Sequence, residues 1–174
     1  VVGLALFFGS QVSPTADSAL AFASVAWSWL AVSLAGSLPF VLTGVIPWGQ
    51  FDNALFESIS GFTCSGSTIL SNFESVPQGV LFYRSLTQWL GGMGLVVLAV
   101  AVLPALGIGG LDLIASEAPG PTADRLTLRV RDTARQLWLL YGVMTGIVAL
   151  VLLAIGMSIF DAVTHAFTTV STGG

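Results

Sequence analysis

Three long stretches of the chain carry no charged side chain: Ser18–Phe51, Ser85–Leu111 and Gln136–Phe160. Each exceeds the roughly 20 apolar residues needed to cross a hydrocarbon core about 30 Å thick. The pattern between the first two is different. Asp52–Gly61 reads as a short helix, whose rise of about 15 Å covers only half such a core. It runs into Phe62–Leu70, a small, hydroxyl-rich strip broken by glycine. The same context returns at Phe160–Gly174. An offset of 108 residues lays Gly66 on Gly174, Asn53 on Asp161, Ala54 on Ala162 and Ser60 on Thr168.

A half-length helix followed by irregular backbone is tolerated at membrane depth only where protein buries it or where it lines a wet cavity. A re-entrant loop meets that condition. Its repetition between spans suggests an ion filter made of backbone carbonyls. The spacing predicts spans at Ala19–Ile46, Phe82–Leu106 and Gln136–Met157, with Pro39, Gly44 and Pro47 fraying the end of the first. Trp27, Trp29 and Trp48 are candidates for interfacial belts, and Arg84 is expected at the interface where the second span opens. Asp52 or Asn53 is expected to cap the short helix, and Gly61 to end it. Gly91, Gly92 and Gly94 read as small residues that let helices pack closely.

Composition then fixes the class. The chain has 174 residues, 55% hydrophobic and 8% charged, with mean hydropathy +0.91; soluble domains average about 25% charged. The net charge of −4 is spread along the chain. There is no lysine, and four of the five arginines fall within Gly107–Arg135, which is no nucleic-acid footprint. Those arginines (Arg125, Arg129, Arg131 and Arg135) mark a cytoplasmic side, so both strips are expected to dip in from the outside. The single cysteine, Cys64, excludes an internal disulfide and a multi-cysteine metal site. Val1 opens an apolar stretch with no basic flank or cleavage site, so it does not read as a signal peptide. A start without Met and a stop inside a motif read as a fragment.

The expected organisation is the tail of a preceding helix and a turn (1–18), then a first helix–loop–helix repeat (19–111, strip 62–67). A linker (112–135) leads to the first helix and loop of a second repeat (136–174, strip 170–174). A dehydrating cation needs oxygen ligands that replace its water without trapping it. The carbonyls of Cys64 and Ser65, with Thr63 behind them, are the candidates in the first strip; Ser171, Thr172 and Gly173 are their counterparts. Gly66 and Gly174 would adopt backbone angles closed to residues with a Cβ and turn neighbouring carbonyls toward an axis. Helix ends near Gly61 and Thr169 would aim partial negative charge at the ion. Glu57 and His165 sit at equivalent positions of the two short helices and are expected to brace the strips from behind. No covalent cofactor is implied, nor a metal other than a monovalent cation. Two other classes compete. A serine hydrolase would use Ser65 or Ser171 with His165, but lacks a Gly-x-Ser-x-Gly elbow. A non-conducting scaffold would use neither strip.

Several blocks in order carry a family resemblance. Asn53-Ala-Leu-Phe-Glu-Ser58, Arg84-Ser-Leu-Thr-Gln-Trp-Leu-Gly-Gly-Met-Gly94, Glu117-Ala-Pro-Gly-Pro121 and Phe160–Gly174 resemble the Trk-type potassium uptake proteins, TrkH family. The resemblance implies an all-α membrane protein of repeated helix–re-entrant pore loop–helix units, resembling a potassium-channel pore. Four repeats in one polypeptide would surround a pseudo-fourfold axis, and this chain would hold repeat one and half of repeat two. It further implies K+ as the transported ion, contact with membrane lipid, a homodimer, a cytosolic nucleotide-binding regulatory subunit and residence in the bacterial inner membrane. One local departure is the strip Thr63-Cys64-Ser65-Gly66, where family members usually show a threonine-rich run.

Overall fold

The computed structural model describes residues 18–102 and 123–173. The segment 1–17, the Glu117–Pro121 block and Gly174 lie outside the described residues. Among those described, the chain is helical and has no strand. Three helices are long: α1 (Ser18–Leu42), α3 (Gln78–Val102) and α4 (Ala123–Ala154). Two are short, α2 (Phe51–Phe62) and α5 (Ile159–Val170), each of 12 residues. The short pair obeys the 108-residue offset at both ends.

Each long helix that precedes a short one stops on a glycine with positive φ: Gly44 at 73° after α1 and Gly156 at 101° after α4. Without a Cβ, glycine enters this left-handed region at no steric cost, and the last helical carbonyls find donors in the turn. After α4 these donors are the amides of Gly156 and Met157, bonded to Leu153 and Leu152. Pro39 stands inside α1 and cannot donate to the preceding turn. Beside this weak point Tyr83 of α3 donates its hydroxyl to the Gly36 carbonyl at 2.9 Å, tying α1 to α3.

Packing follows two pairs and a mast. α1 lies along α2, α4 lies along α5, and α3 touches both short helices. Gly36 lets α1 and α2 meet: a Cβ there would stand 2.6 Å from Phe62 and from the Ser58 hydroxyl. That hydroxyl donates to the Ser33 carbonyl at 2.7 Å. A small apolar cluster of Phe40, Val41, Ile46 and Ala54, with Val80 of α3, closes the end where α1 turns into α2.

The distribution of polarity is the reverse of a soluble core. Ser33, Ser37, Ser58, Ser60, Thr87 and Gln88 are buried, whereas Leu42, Leu139, Ile155 and Ile159 are each at least 70% exposed. Lipid tails are as apolar as leucine, so a bilayer permits this arrangement and small polar residues become the contacts between helices. Two described helices are long and apolar enough to cross a membrane, Ala23–Leu42 and Thr133–Ala154. The second of these has 6% of its most apolar window buried. The remaining expected span, α3, is 25 residues long and begins four positions before Phe82, at Gln78.

Two expectations change. Residues 123–135, read as part of an irregular connection, are helical, so the four arginines lie on the first turns of α4. The sequence has neither Gly nor Pro between Pro121 and Gly142, and Arg, Leu and Ala favour a helix. Neither Asp52 nor Asn53 caps α2. Gln50 occupies that position without a side-chain cap bond, and its counterpart Ser158 caps α5 by accepting from the Asp161 amide at 3.1 Å.

Candidate functional site: two helix ends against one mast

The two short helices end in the same turn, bond for bond. After α2, the amides of Thr63, Cys64 and Ser65 donate to the carbonyls of Ile59, Gly61 and Ser60 at 2.9, 3.0 and 3.1 Å. After α5, the amides of Ser171, Thr172 and Gly173 donate to Phe167, Thr169 and Thr168 at 3.2, 3.1 and 2.9 Å. This termination needs a left-handed residue just past the helix. Cys64 (φ 56°) and Thr172 (φ 58°) fill that place although neither is glycine. Such a conformation costs an L-residue roughly 1–2 kcal/mol. Two non-glycine residues held so at equivalent positions indicate that the surrounding structure fixes the turn.

The consequence is chemical. Amides are used up inside each turn, while among the described residues no donor sits on the carbonyls of Thr63, Cys64, Ser65, Ser171, Thr172 or Gly173. Each strip therefore offers a row of unengaged peptide oxygens at the carbonyl end of a helix, where the dipole is negative. The strips meet. Gly66 (φ 73°) lies so close to the Gly173 carbonyl that any Cβ at position 66 would overlap it.

Helix α3 makes the meeting possible. Arg84, Gln88, Gly91 and Gly92, spaced four, seven and eight apart, form one polar-to-small stripe along it. A Cβ at Gly91 would overlap the Phe62 carbonyl at the end of α2. A Cβ at Gly92 would stand 3.0 Å from Ser171 Cβ at the end of α5 and 2.8 Å from the Tyr141 hydroxyl. The adjacent glycines thus serve both turns, one each. Gly61 sits against Thr87 in the same way, and the Cys64 thiol donates to the Gln88 carbonyl at 3.2 Å.

Behind the first strip stands a buried ion pair. Glu57 is fully buried and Arg84 is 12% exposed. Oε1 of Glu57 accepts from the Thr68 hydroxyl at 2.5 Å and the Ile69 amide at 2.6 Å. Its Oε2 accepts from Arg84 Nε at 3.1 Å. The guanidinium donates onward to the Gly66 carbonyl at 2.9 Å and lies 5.9 Å over the Phe73 ring. Arg84 is thus turned into the protein, toward the carboxylate and the strip. It is held inside by the carboxylate. Ser60 adds a hydroxyl bond to the Ser67 carbonyl at 2.5 Å.

The second strip is held otherwise. His165, equivalent to Glu57, is exposed, and its imidazole has no hydrogen bond among the described residues. Ser171 is buried and donates to Thr168 at 3.1 Å. Trp89 of α3 anchors the pair instead. Its ring stacks on Phe167 at 5.3 Å, its Nε1 donates to Thr145 at 3.0 Å, and its carbonyl accepts from Tyr141 at 3.0 Å. No hydrogen bond joins His165 to Ser65 or Ser171, and Ser65 faces Ser67 at 3.0 Å. Among the described residues no group of three metal-ligating side chains occurs.

Sequence reading named both strips and read Gly91 and Gly92 as close-packing positions, but it assigned no role at the strips to Thr87 or Gln88 and none to Arg84 beyond the span end. The stripe of Arg84, Thr87, Gln88, Gly91 and Gly92 on one face of an apolar helix was the available signal.

The comparisons with known proteins agree with this layout. A family profile described as TrkH, cation transport protein, matches residues 2–174. The Trk system potassium uptake protein TrkH of Halomonas elongata is 47% identical over 154 residues, covering 88% of this chain and 32% of that protein. Its namesake in Escherichia coli is 44% identical over the same coverage. The crystal structure of the potassium transporter TrkH from Vibrio parahaemolyticus superposes with a TM-score of 0.76 at 37% identity, covering 93% of this chain and 31% of that one. The chain thus spans about a third of the length of the relatives it matches. By residues 2–174 of its sequence, the chain belongs to the TrkH family of cation transport proteins.

Proposed function

We propose that the chain forms two of the quadrants of a potassium-conducting pore in the bacterial inner membrane. The whole protein then works as the membrane subunit of a Trk-type uptake system. The observation that carries this reading is the repeated turn. Two half-length helices end 108 residues apart in identical bonding, with left-handed Cys64 and Thr172, and bring Gly66 against the Gly173 carbonyl. Both loops are re-entrant and enter from the outside, opposite the arginines of α4.

Carbonyls of Thr63, Cys64 and Ser65, and of Ser171, Thr172 and Gly173, are the cation ligands in this reading. Their number and dipole strength would replace the hydration shell of K+. Gly66 contributes mainly through its backbone angle, since its carbonyl already accepts from Arg84; Gly174 is its counterpart. Glu57 supports the first strip through Thr68 and Ile69. His165 plays a matching role only toward parts of the protein beyond this chain. Names of the relatives as potassium uptake proteins and as a potassium transporter support K+ as the ion and transport rather than enzymatic turnover. A homodimer and a cytosolic nucleotide-binding regulatory subunit are the partners this reading expects, with lipid on the apolar faces of α1 and α4.

The test is rubidium uptake by the full-length protein in cells lacking their own potassium uptake, with and without Gly66→Ser. The wild type should restore uptake. The substitution should abolish it or lose discrimination against sodium, because a side chain at φ 73° would drive the two strips apart. Unchanged uptake and discrimination in Gly66→Ser would sink the proposal.

A further inference from the structure

One buried group is left over by this account. The side chain of Gln88 is fully buried, yet among the described residues neither its Nε2 nor its Oε1 has a hydrogen-bond partner. A primary amide offers two donors and an acceptor, and orphaning all of them in a packed interior is costly. A methionine or leucine would fill the same space without that cost. The amide is also not in an arbitrary place. A Cβ at Gly173 would stand 2.7 Å from Gln88 Oε1 and 3.0 Å from its Cδ, so the amide packs against the second strip. The main-chain carbonyl of the same residue accepts the Cys64 thiol of the first strip. Gln88 thus touches both strips at the seam where Gly66 meets Gly173.

We propose that Gln88 is a positioning residue for cation discrimination: its amide sets the orientation of the Gly173 peptide relative to the first strip. This rests on the pore reading above. Gln88 is fully buried and acts through the Gly173 peptide it packs against, so it is not itself a ligand. A polar plane beside a peptide group constrains how that peptide tilts, through its dipoles as well as its bulk. An apolar chain of equal length constrains only the space. Discrimination between cations depends on the number and field strength of the carbonyls, and a small tilt alters both.

The experiment compares full-length wild type with Gln88→Met, Gln88→Leu and Gln88→Asn, measuring rubidium uptake and sodium competition alongside the amount of protein in the membrane. The apolar variants should reach the membrane at wild-type abundance, since removing an orphaned buried amide does not destabilise. Their rubidium-over-sodium preference should fall about fivefold to tenfold, the change that a loss of about 1–1.4 kcal/mol of discrimination would give. Gln88→Asn retains an amide and should recover part of that loss. Wild-type preference in both apolar variants, an asparagine variant no better than leucine, or absence of the apolar variants from the membrane would each overturn the inference. Failure of the wild type to take up rubidium would overturn the pore reading instead.

Discussion

The two strips share a turn but not a foundation. The first rests on charge: the fully buried Glu57 and the partly buried Arg84 bond to Thr68, Ile69 and Gly66 around it. The second rests on hydroxyls turned back into their own helix and on the aromatic anchor of Trp89 and Phe167. A turn repeated bond for bond can thus be specified by different side-chain chemistry at each occurrence. What has to be common is the helix length, the left-handed residue after it and the glycine that follows.

The sharpest way to break this comparison is to remove one half of the ion pair. Arg84→Met would leave a fully buried carboxylate with only neutral donors. Removing one partner of a buried pair costs about 3–5 kcal/mol, so folded full-length protein recovered in detergent should drop severely. Glu57→Gln together with Arg84→Met should recover much of it. At the equivalent position, His165→Gln breaks no side-chain bond made within this chain and should cost no more than the roughly 1 kcal/mol typical of a single substitution, as read by thermal unfolding. Equal damage from His165→Gln and Arg84→Met would show that the two foundations are alike after all.

The glycine pair on α3 gives a smaller contrast. A Cβ at Gly91 collides with the Phe62 backbone, which cannot yield without moving the first turn. At Gly92 it meets the Tyr141 hydroxyl and Ser171 Cβ at 2.8 and 3.0 Å, and the phenol can swing aside. Overpacking costs typically about 1–3 kcal/mol. Gly91→Ala should lie at the upper end of that range and Gly92→Ala at the lower, as read by thermal unfolding. The reverse order would mean that the second strip, not the first, is the tighter seat.

Much of this layout was legible in the sequence because it is local. The short helices, their spacing and the glycine-broken strips follow from hydrophobic period and small-residue content, and the structure moves the ends of Asp52–Gly61 by one residue each. Membrane character followed from the uncharged runs. The role of Arg84 was not legible, since it depends on a partner 27 residues away that only tertiary packing brings within 3.1 Å. The different environments of Glu57 and His165 were hidden for the same reason: equal positions on repeated helices do not have equal neighbours. The early start of α4 was missed because four arginines were read as a loop signal, although nothing in Ala123–Arg135 breaks a helix.

The finest difference lies in the left-handed residues themselves. Replacing either by glycine removes a conformational cost of roughly 1–2 kcal/mol and adds back roughly 0.5–1 kcal/mol of chain entropy. Thr172 is β-branched, exposed and makes no side-chain bond among the described residues, so Thr172→Gly should stabilise the full-length protein by up to about 1 kcal/mol. Cys64→Gly gains the same relief but loses the thiol bond to the Gln88 carbonyl, and should come out near zero. Thermal unfolding of the two variants side by side measures the gap. If Cys64→Gly stabilised as much as Thr172→Gly, the thiol bond would contribute nothing to seating the first strip on α3. Its hold would then come from Glu57, Arg84 and Gly91 alone.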